Sequence, residues 1–362
     1  MTTSSRKMDH IRICLERDVE SKCRPFDDII LIHKALPEIS EPEINTSCSF
    51  LGRRISAPIM ISAMTGGHPD TKEINLNLAR AAQEIGIAMG VGSQRAALED
   101  PQQVDTFSAV RDAAPDIPII GNIGAAQLRR SGPEVLERLA EMIDADAIAI
   151  HLNFLQESIQ PEGDRDGSGV LDAIRSVAAG RIPIIVKETG AGISRETATE
   201  LVNANVKIID VSGVGGTSWS GVEAYRAEEV EDFESMQMGR LFWSWGIPTP
   251  VSIVECKRSG AGVISSGGVR SGLDVAKSMA LGASLAGTAL PMLEPATKGS
   301  HFVLNTMKAY LRALRISMFL TGCKDLADLE KIPFAVFGRT REWLDLCGYG
   351  TRNFSAYREL SK

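Results

Sequence analysis

The segment PIIVK at residues 183–187 is a short, continuously apolar run that ends in a polar residue, and this pattern recurs along the chain. Because such a run is apolar on both faces, it is typical of a parallel strand that is buried on both sides. Segments with helical spacing of Leu, Ile and Ala separate the runs, for example at 71–84 and 134–142. The sequence therefore predicts a (β/α)8 TIM barrel. Its eight predicted strands are PIMISAM (58–64), IAMGVG (87–92), PIIGNI (118–123), AIAIHL (147–152), PIIVK (183–187), VKIIDV (206–211), GVIS (262–265) and ASLAG (283–287).

Two regions lie outside this alternation of strands and helices. Residues 1–56 are predicted to form an N-terminal extension with a hairpin, in which 29–33 pairs with 44–50, and residues 57–362 the barrel with its C-terminal helices. After the sixth strand, residues 213–248 form a connection much longer than an ordinary βα loop, which favours a lid or a ligand-binding segment. Its acidic run is typical of a solvated helix face and comprises Glu228, Glu229, Glu231, Asp232 and Glu234.

The composition is that of an ordinary globular protein with an acidic balance. The 362 residues are 44% hydrophobic and 23% charged, and 46 acidic against 39 basic residues give a net charge of -7. This charge would repel a nucleic-acid backbone or an anionic membrane surface, so neither is expected as a partner. An anionic small molecule would need a local cluster of basic residues.

The cysteines and the N-terminus indicate the compartment. The six cysteines are scattered without a CxxC pair, which favours neither a zinc site nor a disulfide framework. Residues 1–20 carry charge throughout, unlike a signal peptide, and no apolar stretch approaches the length of a membrane-spanning helix. We therefore expect a cytoplasmic protein with reduced thiols.

The carboxyl ends of the predicted strands are rich in polar residues and glycine, and in (β/α)8 barrels these ends carry the catalytic groups. Gly267, Gly268 and Arg270 follow the seventh strand and precede a helix. Free backbone N–H groups, a helix N-terminus and a guanidinium together favour a bound phosphate. A glycine pair alone would indicate only a tight turn, but its position after the seventh strand favours the phosphate site.

Two further strand ends carry titratable side chains. Lys187 ends the fifth strand, where its ammonium must either pair with a carboxylate such as Glu188 or face a polar ligand. His151 ends the fourth strand, and a lone histidine at such a position is often a hydrogen-bonded core residue. Its polar neighbours favour a functional role, and they are Asn153, Gln156 and Glu157.

Seven motifs, in order along nearly the whole chain, indicate which family of (β/α)8 barrels the sequence resembles. They are RKMDH (6–10), MTGG (64–67), GSQR (92–95), HLNxLQE (151–157), KETGAGIS (187–194), SGVGGTSW (212–219) and SSGGVR (265–270). Together they resemble the type 2 isopentenyl-diphosphate isomerase family. SGGVR recurs across FMN-dependent barrels, whereas HLNxLQE with GSQR and the N-terminal Arg-Lys pair is more discriminating. The usual proline of the fourth-strand motif is Phe154 here.

The resemblance implies FMN over the barrel mouth. Lys187 would lie beside flavin N1 and O2 and stabilise the anionic reduced ring. The phosphate would lie at Gly267, Gly268 and Arg270, and the remaining FMN contacts would be Ala63, Met64, Thr65, Ser93, Asn122, Ser212, Thr217, Ala289 and Leu290.

The resemblance also implies a diphosphate substrate and a metal ion. Glu157 would hold Mg2+, which typically takes one or two carboxylates together with phosphate oxygens. Basic side chains suit a diphosphate, and the implied substrate contacts are Arg6, Lys7, Ser93, Arg95, His151, Asn153, Gln156 and Ser194.

The implied reaction is the redox-neutral isomerisation of isopentenyl diphosphate to dimethylallyl diphosphate by a homo-oligomer. Reduced FMN would act as acid and base, and NADPH would reduce it to start the enzyme. The candidate catalytic residues are Gln156, Lys187 and His151. Gln156 would orient or relay a proton, or would only hold the diphosphate or the metal shell.

Two other classes of protein share parts of this pattern. An FMN-dependent oxidoreductase of the hydroxy-acid oxidase type would use the same barrel and phosphate site. It would also need a histidine base late in the barrel, whereas no histidine lies between Leu152 and Ser300. A non-catalytic barrel that binds a phosphorylated ligand would not need so many polar strand ends.

Overall fold

A computed structural model describes the backbone of residues 3–351 and the side chains of residues 7–351. Within this part of the chain twelve strands are formed. They are β1 (Ile29–Leu31), β2 (Cys48–Phe50), β3 (Arg53–Ile55), β4 (Ile59–Ile61), β5 (Ala88–Gly90), β6 (Ile119–Gly124), β7 (Ala147–Leu152), β8 (Ile184–Glu188), β9 (Ile208–Asp210), β10 (Gly262–Ser265), β11 (Leu285–Thr288) and β12 (Phe334–Val336).

The eight strands β4 to β11 form a closed parallel barrel in sequence order. The barrel closes between β11 and β4, where Ala286 is in register with Ile59. Each barrel strand lies within one of the eight apolar runs or ends one residue beyond it. This confirms the (β/α)8 fold predicted from continuous, two-sided hydrophobicity.

Seventeen α-helices lie in the described residues, most of them around the barrel. The predicted helices at 71–84 and 134–142 are formed as Pro69–Ile85 and Val135–Ile143. The helices are α1 (Thr3–Glu16), α2 (Pro69–Ile85), α3 (Arg95–Glu99), α4 (Asp105–Ala113), α5 (Ala125–Ser131), α6 (Val135–Ile143), α7 (Phe154–Ile159), α8 (Val170–Ala178), α9 (Arg195–Asn203), α10 (Trp219–Glu229), α11 (Phe233–Leu241), α12 (Thr249–Arg258), α13 (Gly272–Ala280), α14 (Leu290–Lys298), α15 (Ser300–Thr321), α16 (Leu326–Leu329) and α17 (Gly338–Leu346).

The apolar core has two main parts. The larger lies between the barrel strands and the helices around them, and the smaller fills the interior of the barrel. Met60, Ile120 and Ile264 contribute to the interior cluster, and Phe50 and Ile55 from β2 and β3 pack against them. The barrel interior is therefore a packed core, which leaves the carboxyl ends of the strands for a site.

The predicted pairing within the N-terminal extension was wrong. Strand β1 pairs antiparallel with β12, with Ile29 opposite Val336, and the hairpin is formed instead by β2 and β3. Leu51 and Gly52 link β2 to β3 with φ values of 51° and 78°, the positive angles that a tight two-residue hairpin turn requires. The partner of β1 is about three hundred residues away in sequence, so local alternation could not identify it.

The long connection after the sixth barrel strand contains two helices, α10 and α11, which pack on each other. Helix α1 packs on α10, so the N-terminal extension and this connection meet at the barrel mouth. The acidic residues at the end of α10 are exposed and ion-paired: Glu228 with Arg240, and Glu229 with Arg12. Among the described residues, no helix is both long enough and apolar enough to cross a membrane.

Candidate active site

A cavity of about 240 Å³ opens at the carboxyl ends of the barrel strands, beneath α1. The next pocket encloses only about 10 Å³, so the larger one is the candidate site for a ligand of cofactor size. Nearly every residue that the sequence nominated lines it. These residues are Lys7, Ala63, Met64, Thr65, Ser93, Arg95, Asn122, His151, Asn153, Gln156, Glu157, Lys187, Ser212, Thr217, Gly267, Gly268, Arg270, Ala289 and Leu290.

Of the nominated residues whose side chains the structure describes, Ser194 alone does not line the cavity. Ser194 is the N-cap of α9, and its hydroxyl oxygen accepts a hydrogen bond from the Thr197 N–H at 3.2 Å. The structure thus places this serine in a helix cap rather than in the cavity wall. Arg6 belongs to α1, but its side chain lies outside the described part of the chain.

Three neighbouring strand ends place ionisable side chains side by side. The β-sheet register aligns His151 with Lys187 and Lys187 with Asp210. Burial raises the pKa of Asp210, and the positive charge of Lys187 opposes this rise. The Lys187 ammonium donates to the backbone oxygen of Glu188 at 2.6 Å, whereas the Glu188 carboxylate accepts backbone N–H groups of the following turn. Lys187 therefore lines the cavity with Asp210 as its nearby countercharge.

The hydrogen bonds of His151 determine which ring nitrogen faces a ligand. Asn122 donates its amide N–H to the Val91 backbone oxygen at 3.1 Å, so its side-chain oxygen accepts from His151 Nδ1 at 2.8 Å. Burial, together with the charges of Lys187 and Lys7, lowers the pKa of His151 to about 3. The imidazole is therefore neutral, with its proton on Nδ1 and Nε2 available as an acceptor.

The N-terminal helix α1 carries a basic group to the cavity within the same chain. Lys7 donates to the Ser93 backbone oxygen at 2.7 Å, contacts the Gly66 backbone oxygen and lies 5.1 Å from the centre of the Phe107 ring. Other α1 residues also line the cavity, namely His10, Ile11 and Cys14. The extension is thus a folded cover of the site.

Sequence reasoning missed a buried carboxylate behind Gln156. Glu223 of α10 accepts hydrogen bonds from Gln156 Nε2 at 2.8 Å and from His10 Nε2 at 2.9 Å, and it pairs with Arg226. Burial opposes ionisation of Glu223, but the hydrogen bond and charge of His10 and the charge of Arg226 outweigh it and lower the pKa to about 2. Glu223 follows the Trp219 of the SGVGGTSW motif by one helical turn, which is the signal that could have identified it.

The turn after β10 has the features expected of a phosphate site. Gly267 and Gly268 have φ values of 92° and 85°, and a Cβ on Gly216 would lie 2.6 Å from the Gly268 nitrogen. The backbone therefore approaches closely where no side chain could fit. Arg270 lines the same wall, and its Nε donates to Glu20 of the N-terminal extension at 2.7 Å. This ion pair was not predicted.

Several buried polar atoms of the cavity wall have no hydrogen-bond partner within the described part of the chain, and buried groups of this kind usually have one. They are Ser62 Oγ, Thr65 Oγ1, Gln160 Oε1 and Arg270 Nη2, although Arg270 Nη2 lies 2.6 Å from the Glu20 carboxylate without a well-aligned hydrogen bond. Unpartnered hydroxyls beside a glycine cradle with an arginine fit the polar edge and the phosphate of FMN.

Three neutral donors hold the carboxylate of Glu157. They are Asn153 Nδ2 at 2.9 Å, Gln160 Nε2 at 2.8 Å and the backbone N–H of Asp164 at 2.6 Å. No group of three or more His, Cys, Asp or Glu side chains able to hold a metal occurs in residues 7–351. A cation at Glu157 would therefore need amide, water or ligand oxygens, which is the usual coordination of Mg2+.

Comparison with known proteins identifies the class that this fold and site define. The model of the FMN-dependent dehydrogenase family matches residues 13–114 and 133–333. Two mandelate oxidase structures, one with 2-hydroxy-phenylacetamide and one with 4-Br-2-hydroxy-methylphenylacetate, superpose with TM-scores of 0.60 and 0.62. Both are 18% identical to this chain; the alignments cover 93% and 92% of it, and 91% and 99% of the respective oxidase chains. At this identity they establish a shared fold alone.

Relatives of much higher identity narrow the class. The isopentenyl-diphosphate delta-isomerase of Methanothrix thermoacetophila is 62% identical over 99% of this chain and 100% of its own. The proteins of that name from Methanosarcina mazei and Halobacterium salinarum are 52% and 53% identical, over 98% and 95% of this chain and 98% and 96% of their own. The chain therefore belongs to the FMN-dependent dehydrogenase family and, within it, to the isopentenyl-diphosphate delta-isomerases. This confirms the resemblance inferred from the seven motifs.

Proposed function

We propose that this protein isomerises isopentenyl diphosphate to dimethylallyl diphosphate without net redox change, using reduced FMN. The observation that carries the proposal is the convergence of all seven motifs on one cavity at the barrel mouth. Motif residues from α1, from the strand ends and from the turn after β10 contribute to the same wall. The isomerase relatives favour this activity over that of an FMN-dependent hydroxy-acid oxidoreductase.

The FMN phosphate would be held by Gly267, Gly268 and Arg270, with Lys187 and the unpartnered hydroxyls of Ser62 and Thr65 facing the ring system. When bound, reduced FMN supplies a group that can give and take a proton. Lys187 places a fixed positive charge at the cavity wall, which favours an anionic reduced ring.

Replacing Arg270 with Ala should weaken FMN retention by about ten- to a hundredfold, since a charge-assisted phosphate contact contributes about 1.5 to 3 kcal/mol. Fluorescence titration of the apoprotein with FMN measures this. The matched variant Glu20→Gln leaves the guanidinium in place and removes its competing carboxylate, so FMN affinity should not fall. Equal FMN affinity in Arg270→Ala and in the unaltered protein would remove Arg270 from the phosphate site.

The substrate diphosphate would lie between Lys7, Arg95 and the row of strand ends. Arg95 is half-buried and paired with Glu99 at 2.6 Å, while Lys7 reaches the cavity from α1. His151 offers Nε2 as an acceptor, so it can take up a proton when an anion arrives and then donate to a diphosphate oxygen. An acidic chain thus presents a local basic surface to an anionic ligand.

Deleting residues 1–7 should raise the KM for isopentenyl diphosphate by about tenfold or more and lower kcat, because Lys7 both binds the anion and helps cover the cavity. FMN binding and the folded state should persist, since the phosphate turn lies on β10 and α13. Steady-state kinetics of this truncation and of Lys7→Met test the prediction, with the exposed extension residue Lys22→Met as control. Unaltered kinetics in the truncated protein would show that Lys7 takes no part in binding.

Glu157 would hold Mg2+ against the substrate diphosphate. We expect Glu157→Gln, which keeps the shape and removes the charge, to lower turnover sharply and to abolish the response to added Mg2+. Activity titrated with MgCl2 after chelation measures this response. A magnesium dependence equal to that of the unaltered protein would remove Glu157 from the metal site.

NADPH would serve only to reduce FMN at the start. Under anaerobic conditions, one equivalent of NADPH per flavin should support many turnovers, and further NADPH should remain unconsumed. Consumption of one NADPH per product would contradict redox-neutral isomerisation and favour an oxidoreductase. A homo-oligomeric state and a cytoplasmic location belong to the same proposal; light scattering of the purified protein and cell fractionation test them.

A further inference from the structure

The carboxylate of Glu157 is buried and has no cationic partner among residues 7–351. Its side chain belongs to a residue that is only 8% exposed, and each hydrogen bond it accepts in the described residues comes from a neutral N–H group. A buried carboxylate of this kind is costly unless a positive charge lies beside it. No ion pair to Glu157 occurs in residues 7–351, so within this part of the chain its charge is balanced only by neutral N–H donors, and a bound cation would stabilise it.

Gln160 adds a second, independent feature at the same place. The residue is 1% exposed and lines the cavity, and its Oε1 has no hydrogen-bond partner among the side chains and backbone that the structure describes. Its Nε2 donates to Glu157 Oε2 at 2.8 Å. This hydrogen bond fixes the orientation of the Gln160 amide, so its unpartnered oxygen is held next to the Glu157 carboxylate. Burying a carbonyl oxygen without a hydrogen-bond donor costs free energy. A ligand bound to the Gln160 oxygen would remove this cost.

The backbone around these two residues is closely packed. The backbone N–H of Gln160 donates to the backbone oxygen of Gln156 at 3.0 Å, and the backbone N–H of Asp164 donates to the Glu157 carboxylate. Gly163 passes so near the Glu157 backbone oxygen that a Cβ on it would clash. The segment 157–164 therefore holds both oxygens in fixed positions, as a preorganised site for a hard cation requires.

We propose that Gln160 Oε1 is a second protein oxygen ligand of the divalent cation that Glu157 binds. Mg2+ and Mn2+ both bind oxygen ligands, and this site offers one charged and one neutral oxygen in fixed positions. Water and diphosphate oxygens would fill the other coordination positions. This inference rests on the metal part of the proposed function and extends it to a residue outside the seven motifs.

Mn2+ binding to the FMN-loaded protein tests the proposal, with free Mn2+ measured by electron paramagnetic resonance in the presence of inorganic pyrophosphate. Gln160→Leu should weaken Mn2+ affinity by about tenfold or more, because one ligand is lost. Gln160→Glu keeps an oxygen at this position while removing the N–H donor, so it should bind Mn2+ at least as tightly as the unaltered protein. FMN content and circular dichroism confirm that each variant is folded.

Gln103→Leu is a matched control. Gln103 is also buried, at 9% exposure, has an unpartnered Oε1 and donates Nε2 to the carboxylate of Asp100 at 3.0 Å, but it does not line the cavity. Its replacement should leave Mn2+ affinity unchanged.

Two results would overturn the proposal. Unchanged Mn2+ affinity in Gln160→Leu would show that the oxygen does not face the cation. An equal loss in Gln160→Leu and Gln160→Glu would show that the residue acts only by holding Glu157 through its N–H. Glu157→Gln separates this failure from failure of the metal site itself, because unchanged Mn2+ binding in that variant would contradict the proposed magnesium site.

Discussion

Replacing Glu223 with Gln should lower kcat by about 10²- to 10³-fold while FMN affinity stays unchanged. Proton addition to a carbon–carbon double bond creates positive charge on the substrate, and Glu223 places a fixed negative charge directly behind Gln156. Because the pKa of Glu223 is lowered to about 2, this charge is present throughout the working pH range. An amide cannot supply it, although Gln at position 223 still fills the same space.

The pH dependence distinguishes this positioning role from a titrating one. A carboxyl group with a folded pKa of about 2 loses its charge only as the pH falls well below the ordinary value of about 4.5. The fall in kcat in Glu223→Gln should therefore be uniform between about pH 5 and pH 9, with no change in the shape of the profile. The buried Glu255, which accepts from the Arg195 N–H at 2.9 Å outside the cavity wall, provides the control Glu255→Gln. An undiminished kcat in Glu223→Gln, or an equal loss in the control, would contradict the account.

The second large effect is expected for Lys187→Met, which should lower kcat by about 10²- to 10³-fold and make the reduction potential of bound FMN more negative. Lys187 supplies a positive charge between His151 and Asp210, which are its neighbours on the two adjacent strands. Without it, the pKa of Asp210 rises further, because burial is then opposed only by the hydrogen bonds from Ser266 and the Ser212 backbone.

Lys277→Met is the matched control for Lys187→Met. Lys277 is also buried, and its ammonium donates to the Phe26 backbone oxygen at 2.8 Å, away from the cavity wall. Its removal should cost some stability and leave the flavin potential unchanged. Spectroelectrochemical titration of both variants measures the potential. A flavin potential in Lys187→Met equal to that of the unaltered protein would show that Lys187 does not act on the ring.

The barrel could be predicted from sequence because its signal is local. Each strand is a continuous apolar run, and the polar residues that follow it lie at one end of the barrel by the geometry of parallel strands. The same geometry predicts that Lys187, His151 and the turn at Gly267 share one cavity, as the structure shows.

Contacts between segments distant in sequence could not be predicted in this way. The pairing of β1 with β12, the ion pair of Glu20 with Arg270 and the hydrogen bond of His10 to Glu223 each join the N-terminal extension to residues more than two hundred positions away. The hydrophobic periodicity and motif spacing of the sequence do not reveal contacts of this kind. Ser194 illustrates a different limit, because a serine before a helix fits a cap and a ligand site equally well in sequence. In the structure it caps α9 and does not line the cavity, and its contact with the diphosphate stays a prediction.

Product identification after incubation with isopentenyl diphosphate tests the central claim most directly. The purified protein is supplied with FMN, Mg2+ and a catalytic amount of NADPH without oxygen, and the mixture is followed by nuclear magnetic resonance. We expect dimethylallyl diphosphate to form until equilibrium with its isomer is reached, with NADPH beyond the initial reduction of the flavin left intact. Recovery of unchanged isopentenyl diphosphate from protein that holds reduced FMN and Mg2+ would contradict the proposed function.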